Sequence, residues 1–208
     1  MVKKALTGLM LLTATAYADA PSAHVAWTRA ALARLPIATA DRSRLDEKRQ
    51  QLDALAVAMA HESETAPVTP RQWVAVLGAI GFRESTLSLD VQAGICLPHQ
   101  CDALRHKDGS VEFRARSGFQ LHLNDHTRPV WGQLVGLENT AVQVAAASKM
   151  AKVGHYRCAR LGVPFPASVF RGYSGASCSW EHPGEKARIA TYNLLLATPG
   201  VKANGGAS

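Results

Sequence analysis

Apolar positions return at helical spacing along most of this chain, and prolines and glycines punctuate the pattern. Ser22 to Leu35 is predicted as a first helix, stopped by Pro36. Thr39 to about His61 reads as a second, with Leu45, Leu52, Leu55 and Met59 as an apolar stripe among charges. After a break over Ala66 to Pro70, Thr69 suits the N-cap and Pro70 the first turn of a third helix. Its Trp73, Val76, Leu77 and Ile80 share one face, and Glu84 follows on that face at the helix end. Helices resume over Glu138–Ala159, with Val142, Ala145, Ala146, Met150 and Val153 as the buried stripe and Gly162 as the stop. Pro164 and Pro166 mark a stiff link. A last helix spans Pro183–Ala197, with Ile189, Tyr192 and Leu196 facing in.

Between Thr86 and Asn124 the pattern changes. This stretch holds Gly94, Pro98, two close cysteines and the turn signal Asp108-Gly109, and then alternates apolar and charged residues from Val111 to Arg116. The fold class expected is therefore mainly α: a helical domain with a small loop-rich or β-hairpin lobe.

The N-terminus refines the boundaries. Lys3 and Lys4 precede a short apolar run, Ala5 to Ala16, and Ala16-Tyr17-Ala18 is a small-x-small cleavage site. Residues 1–18 read as a signal peptide, 19–66 as an N-terminal helical segment, 67–200 as the main domain and 201–208 as a loose tail. The apolar run is too short for a comfortable membrane span, so an exported protein, periplasmic or extracellular, is expected. At 47% hydrophobic and 19% charged the composition is that of a globular chain, which argues against disorder.

The formal charge of +7 suits an anionic polymer such as a cell wall. No dense Lys/Arg cluster interleaved with aromatics is present, which disfavours nucleic acid. In an exported chain, Cys96, Cys101, Cys158 and Cys178 read as disulfides, and of three connectivities the local pairs Cys96–Cys101 and Cys158–Cys178 are favoured because each closes a loop around a candidate site. A zinc site of Cys96, Cys101 and His99 or His106 fits only loosely, since no second tight Cys/His pair follows.

Glu84 carries the candidate chemistry. A carboxyl group pushed toward the core is disfavoured in its charged form, so its pKa is expected to rise, which is what a general acid needs. Two further segments follow in order: Arg116-Ser117-Gly118-Phe119-Gln120-Leu121-His122 and Phe170-Arg171-Gly172-Tyr173-Ser174-Gly175. With Gly81-Phe82-Arg83-Glu84-Ser85, they resemble the lysozyme-like superfamily, closest to soluble lytic transglycosylases and goose-type lysozymes, over roughly residues 70–198.

That resemblance implies an α+β lysozyme-like fold and cleavage of the β-1,4 bond between MurNAc and GlcNAc in peptidoglycan. It implies Glu84 as general acid/base, Ser85 as its hydrogen-bonding companion, Phe119 and Gln120 lining the sugar cleft, and Tyr173 facing the Glu. It implies no cofactor or metal, peptidoglycan glycan strands as partner, no stable membrane insertion and a monomer. The chain departs from the family in its long cysteine-bearing link after Ser85, in Ser117 where Gly is usual (or else in Gly118 shifted by one) and in Ser174 where Asn is usual.

Other chemistries are weaker. Hydrolysis needs a second carboxylate, and Asp90, Asp102, Asp108, Glu112 and Asp125 show no spacing that demands that role. A non-catalytic glycan- or envelope-binding module of the same shape is a second class of reading. A zinc-dependent wall hydrolase on His122 and His126 is a third, though the Glu of His-Glu-x-x-His is missing. Tyr173-Ser174-Gly175-Ala176-Ser177 is not Gly-x-Ser-x-Gly, which disfavours a serine hydrolase.

Overall fold

Helix α3 (Pro70–Ser85) runs through the middle of the molecule, and its sequence leaves it nowhere else to go. Trp73, Val74, Ala75, Val76, Leu77, Ala79 and Ile80 are all fully buried, so the helix has no polar face. Its start is set by a capping box, with the Thr69 N–H donating to Gln72 Oε1 at 3.2 Å. Around it lie α1 (Ser22–Leu32), α2 (Leu45–Ser63), α5 (Thr140–Ala159), α6 (Ala167–Tyr173) and α7 (Glu185–Leu196). A single turn, α4 (Leu89–Gln92), follows α3. The computed structural model describes residues 22–95, 103–175 and 177–200. The predicted leader (1–18), the Cys96–Cys101 pair and the tail (201–208) lie outside the described residues.

The described chain is mainly helical with one small extended lobe. Strand β1 (Ala103–Arg105) pairs antiparallel with β2 (Val111–Phe113) across the Asp108-Gly109 turn, and β3 (Ala115–Arg116) pairs with β4 (Leu121–His122). The expected single strand over Val111–Arg116 is thus split at Arg114 between two ribbons. No helix among the described residues is long and apolar enough to cross a membrane.

One core joins both ends of the chain. Trp27, Leu32, Leu55 and Met59 from the N-terminal helices share a cluster with Trp73, Phe119, Phe170 and Leu195. The buried indoles are satisfied: Trp27 donates to the Thr198 carbonyl at 3.0 Å and Trp73 to Ser148 Oγ at 3.1 Å. Residues 22–66 therefore pack within the main domain. The α5–α6 crossing depends on two glycines. A side-chain carbon at Gly154 would lie 2.6 Å from the Gly172 backbone, and one at Gly172 would lie 2.3 Å from Gly154.

Several boundaries differ from the periodicity. The first helix ends at Leu32, where Arg34 and Leu35 close short i−3 bonds ahead of Pro36. Thr39–Asp41 is a separate 3₁₀ turn, and α2 starts only at Leu45, which is 43% exposed and leaves the stripe. On α5 the buried face carries Gln143, Val144, Ala147 and Ala151, while Val153 is 42% exposed. Val144, Ala147 and Ala151 join the main core cluster, and Gly154 on the same helix meets the Gly172 backbone. The last helix begins at Glu185 rather than Pro183. Helix α6, which carries Tyr173, replaces the expected link. The pair Cys158–Cys178 is formed as expected.

The separated 3₁₀ turn has a purpose. Asp41 and Lys48 form an ion pair of 2.9 Å with side chains 0% and 3% exposed. Lys48 also donates to the Leu87 carbonyl, and the Leu89 N–H donates to Asp41 Oδ2 at 3.2 Å. The pair thereby grips the turn after α3, where Thr86 and Leu87 both take positive φ, 55° and 52°, without being glycine. Burial pulls the Lys48 ammonium below its usual pKa, and Asp41 opposes that. Asp41→Ala leaves the buried cation alone and should cost about 3–5 kcal/mol of unfolding free energy. Denaturant melts check this, and Asp41→Ala combined with Lys48→Met should recover part of the loss.

Candidate active site

Glu84 sits on the last turn of α3, where the buried helix reaches the surface, and its side chain is 21% exposed. It does not stand alone among apolar groups. Arg188 of α7 donates from Nη2 to Glu84 Oε1 at 2.5 Å, and that side chain is only 10% exposed. The apolar setting that the helix pattern leads one to expect is thus corrected: the carboxylate has a charged partner. Arg188 Nε and Nη1 are buried and find no hydrogen-bond partner among the described residues.

Ser85 bridges to the 117–120 turn. Its hydroxyl donates to the Gly118 carbonyl at 2.7 Å, with a longer contact of 3.3 Å to the Gly81 carbonyl. A side-chain carbon at Gly118 would lie 3.3 Å from Ser85 Oγ, so a small residue keeps this contact open. Ser117 and Gln120 both take positive φ, 65° and 51°. The Ser117 hydroxyl accepts the Phe119 N–H at 3.1 Å, a local bond that supports a conformation usually left to glycine. This explains how Ser stands where the family resemblance led one to expect Gly.

Tyr173, the last residue of α6, donates its hydroxyl to the Phe119 carbonyl at 2.7 Å. Burial pushes its phenol well above the usual pKa, and the negative charge of Glu84 adds to this. The group therefore remains an O–H donor throughout the neutral range. Phe119 itself is 1% exposed, so its ring belongs to the core, and only its backbone takes part here. This corrects the expectation that its side chain lines a cleft. Gln120 is partly exposed, and its Nε2 donates back to the Ser117 carbonyl at 3.2 Å.

Glu84 and Ser85 open into a cleft of about 390 Å³ whose opposite wall is Ala38, Thr39 and Ala40 from the N-terminal segment. Val91 on its rim also borders a larger hollow of about 650 Å³ against the extended lobe. That hollow carries Glu112, Arg114 and Arg116, with Arg116 stacked over Trp131 at 4.6 Å.

The other carboxylates named from sequence have local engagements. Asp90 pairs with Arg44 at 2.6 Å, Asp108 accepts the Ser110 N–H at 2.9 Å, and Glu112 meets His106 at 3.2 Å. Asp125 is exposed, and Asp102 lies outside the described residues. Among the described residues no three His, Cys, Asp or Glu side chains gather to hold a metal ion.

The structure brings the segments that carry Glu84, Ser85 and Tyr173 together at the 117–120 turn. The pattern that singled out Glu84 gave no signal for Arg188 as its partner or for the Ala38–Ala40 wall. Arg188 pairs across 104 positions, a separation with no local signal.

Tyr173→Phe removes the hydroxyl that donates to the Phe119 carbonyl and keeps the ring. It should cost about 1–3 kcal/mol, the penalty of an unsatisfied buried acceptor. Thermal unfolding of the variant against the native protein checks this.

Comparison with protein-family models, with curated proteins and with solved structures finds no match to this chain in any of the three.

Proposed function

We propose that this protein is an exported lytic transglycosylase of lysozyme-like architecture that cleaves the MurNAc–GlcNAc bond of peptidoglycan. The observation that carries the reading is a partly buried carboxylate at a cleft mouth, tied by Ser85 and Tyr173 to the 117–120 turn. Three segments that are distant in sequence meet there, in the order that the family resemblance expects.

The chemistry needs one carboxyl group. Glu84 in its acid form gives its proton to the glycosidic oxygen as the C1–O bond breaks. The carboxylate left behind then takes the proton of the same sugar's 6-hydroxyl as O6 bonds to C1, closing a 1,6-anhydro ring. An internal nucleophile avoids the entropic cost of capturing water. Arg188 stabilises the carboxylate in the second half of the cycle, and the substrate must draw Glu84 toward the leaving oxygen in the first. The net charge, +7 for the full chain and about +5 once Lys3 and Lys4 leave with the leader, would hold the enzyme close to an anionic wall.

Two other readings have support of their own. The 2.5 Å pair with Arg188 leaves Glu84 committed as an acceptor, which a non-catalytic glycan-binding module could tolerate. Glu112, on the larger hollow, is the carboxylate that a hydrolase could recruit.

Mass spectrometry of soluble products from purified peptidoglycan separates these readings. Anhydro-muropeptides are expected from the native protein, with the rate reduced by about 10²–10⁴ in Glu84→Gln. Reducing-end products would replace transglycosylation by hydrolysis. Binding without products, equal in both proteins, would establish the module. Arg188→Gln removes the cation paired with Glu84 in the carboxylate half of the cycle, so turnover should fall while the identity of the products stays the same. Unchanged turnover would exclude Arg188 from the catalytic cycle.

A further inference from the structure

Trp180 is a large apolar side chain in an unusual place. It is 52% exposed, on the loop that enters α7. Its ring stacks on His182, with centroids 6.2 Å apart and planes 28° from parallel. An exposed indole ordinarily samples several rotamers, but this one is backed by a second ring.

The loop beneath the pair is held at several points. Cys178 is joined to Cys158 of α5. Arg171 donates to Glu185 Oε2 at 2.8 Å and to the Cys178 carbonyl at 3.2 Å. His182 Nδ1 accepts the Gly184 N–H at 3.2 Å, and its carbonyl accepts the Glu185 N–H at 2.8 Å. None of these contacts uses the outer face of Trp180.

The histidine of the pair lies near Arg188, the partner of Glu84. A side-chain carbon at Gly184 would lie 2.9 Å from Arg188 Nη1 and 3.6 Å from His182 Nδ1. One glycine therefore separates the histidine from the guanidinium that touches Glu84.

We propose that Trp180, backed by His182, is a sugar-binding platform that takes one ring of the glycan strand beyond Arg188. A pyranose presents a face of C–H groups that lies flat on an indole, with its hydroxyls left in water. Such a site suits a polar polymer better than a protein partner, because it is one ring in area and rimmed by polar groups. The proposal rests on the reading of Glu84 as the centre of glycan cleavage, and it adds a contact that only a long strand can reach.

The test uses peptide-free glycan strands of graded length, with the full chain. Binding is measured by calorimetry in the Glu84→Gln background, and turnover in the native background. Trp180→Ala should weaken binding of long strands by about fivefold to tenfold and raise KM by the same factor, with kcat kept. Short fragments should show no change, and Trp180→Phe should restore most of the loss. Leu161→Ala, at a position 70% exposed, is the control for general loss of apolar surface and should do nothing. Unchanged long-strand binding in Trp180→Ala, while the native protein still cleaves, would overturn the platform and leave the proposed function standing. Glycan binding that depends on Trp180, with no cleavage by the native protein, would do the reverse. An equal loss with Leu161→Ala would also overturn the platform.

Discussion

A helix with no polar face must be enclosed on every side, and this is the constraint from which the rest of the structure follows. From Trp73 to Ile80 nothing on α3 can meet water, so α1, α2, α5 and α7 have to cover it. Only its ends can reach the surface. The N-terminal end is capped by Thr69 and Gln72, and the C-terminal end delivers Glu84 and Ser85. A carboxylate at that end is carried by a helix enclosed on every side over the preceding turns.

The exit of the chain from α3 is as demanding as the helix itself. Two consecutive left-handed residues, Thr86 and Leu87, turn the backbone away immediately after the site. They are held by Asp41 and Lys48, a buried pair contributed by the N-terminal segment. The same segment supplies the Ala38–Ala40 wall of the cleft. The N-terminal helices are thus part of the machinery around Glu84, and their role is mechanical as well as structural.

Around the carboxylate, charge and hydrogen bonding converge from three directions. Arg188 comes from α7, Gly118 and Phe119 from the 117–120 turn, and Tyr173 from α6. The close α5–α6 approach at Gly154 and Gly172 sets the position of Tyr173. The disulfide and the Arg171–Glu185 pair fix the loop leading to Arg188. Each site group is therefore tied to a packing feature at some distance from it.

Local patterns sufficed for much of this. The stretch Thr69–Ser85 reads as a capped, buried helix ending in Glu-Ser because capping and period are properties of adjacent residues. Asp108-Gly109 declares its turn for the same reason. Other features were decided only in three dimensions. The buried face of α5 is the one turned to the shared core, so Val153 faces water while Ala147 and Ala151 are enclosed. The ring of Phe119 went to the core because the 117–120 turn inverts the backbone. The Arg188–Glu84 pair spans 104 positions and the Asp41–Leu89 contact 48. By itself the sequence determined the central stretches of the long helices and the Asp108-Gly109 turn, since each is a short-range property, and it favoured the pairing of Cys158 with Cys178 and singled out Glu84 as a candidate acid. The tertiary structure alone decided the acid's charge partner and the walls of its cleft, because electrostatic neighbours are chosen by packing and leave no mark on local spacing.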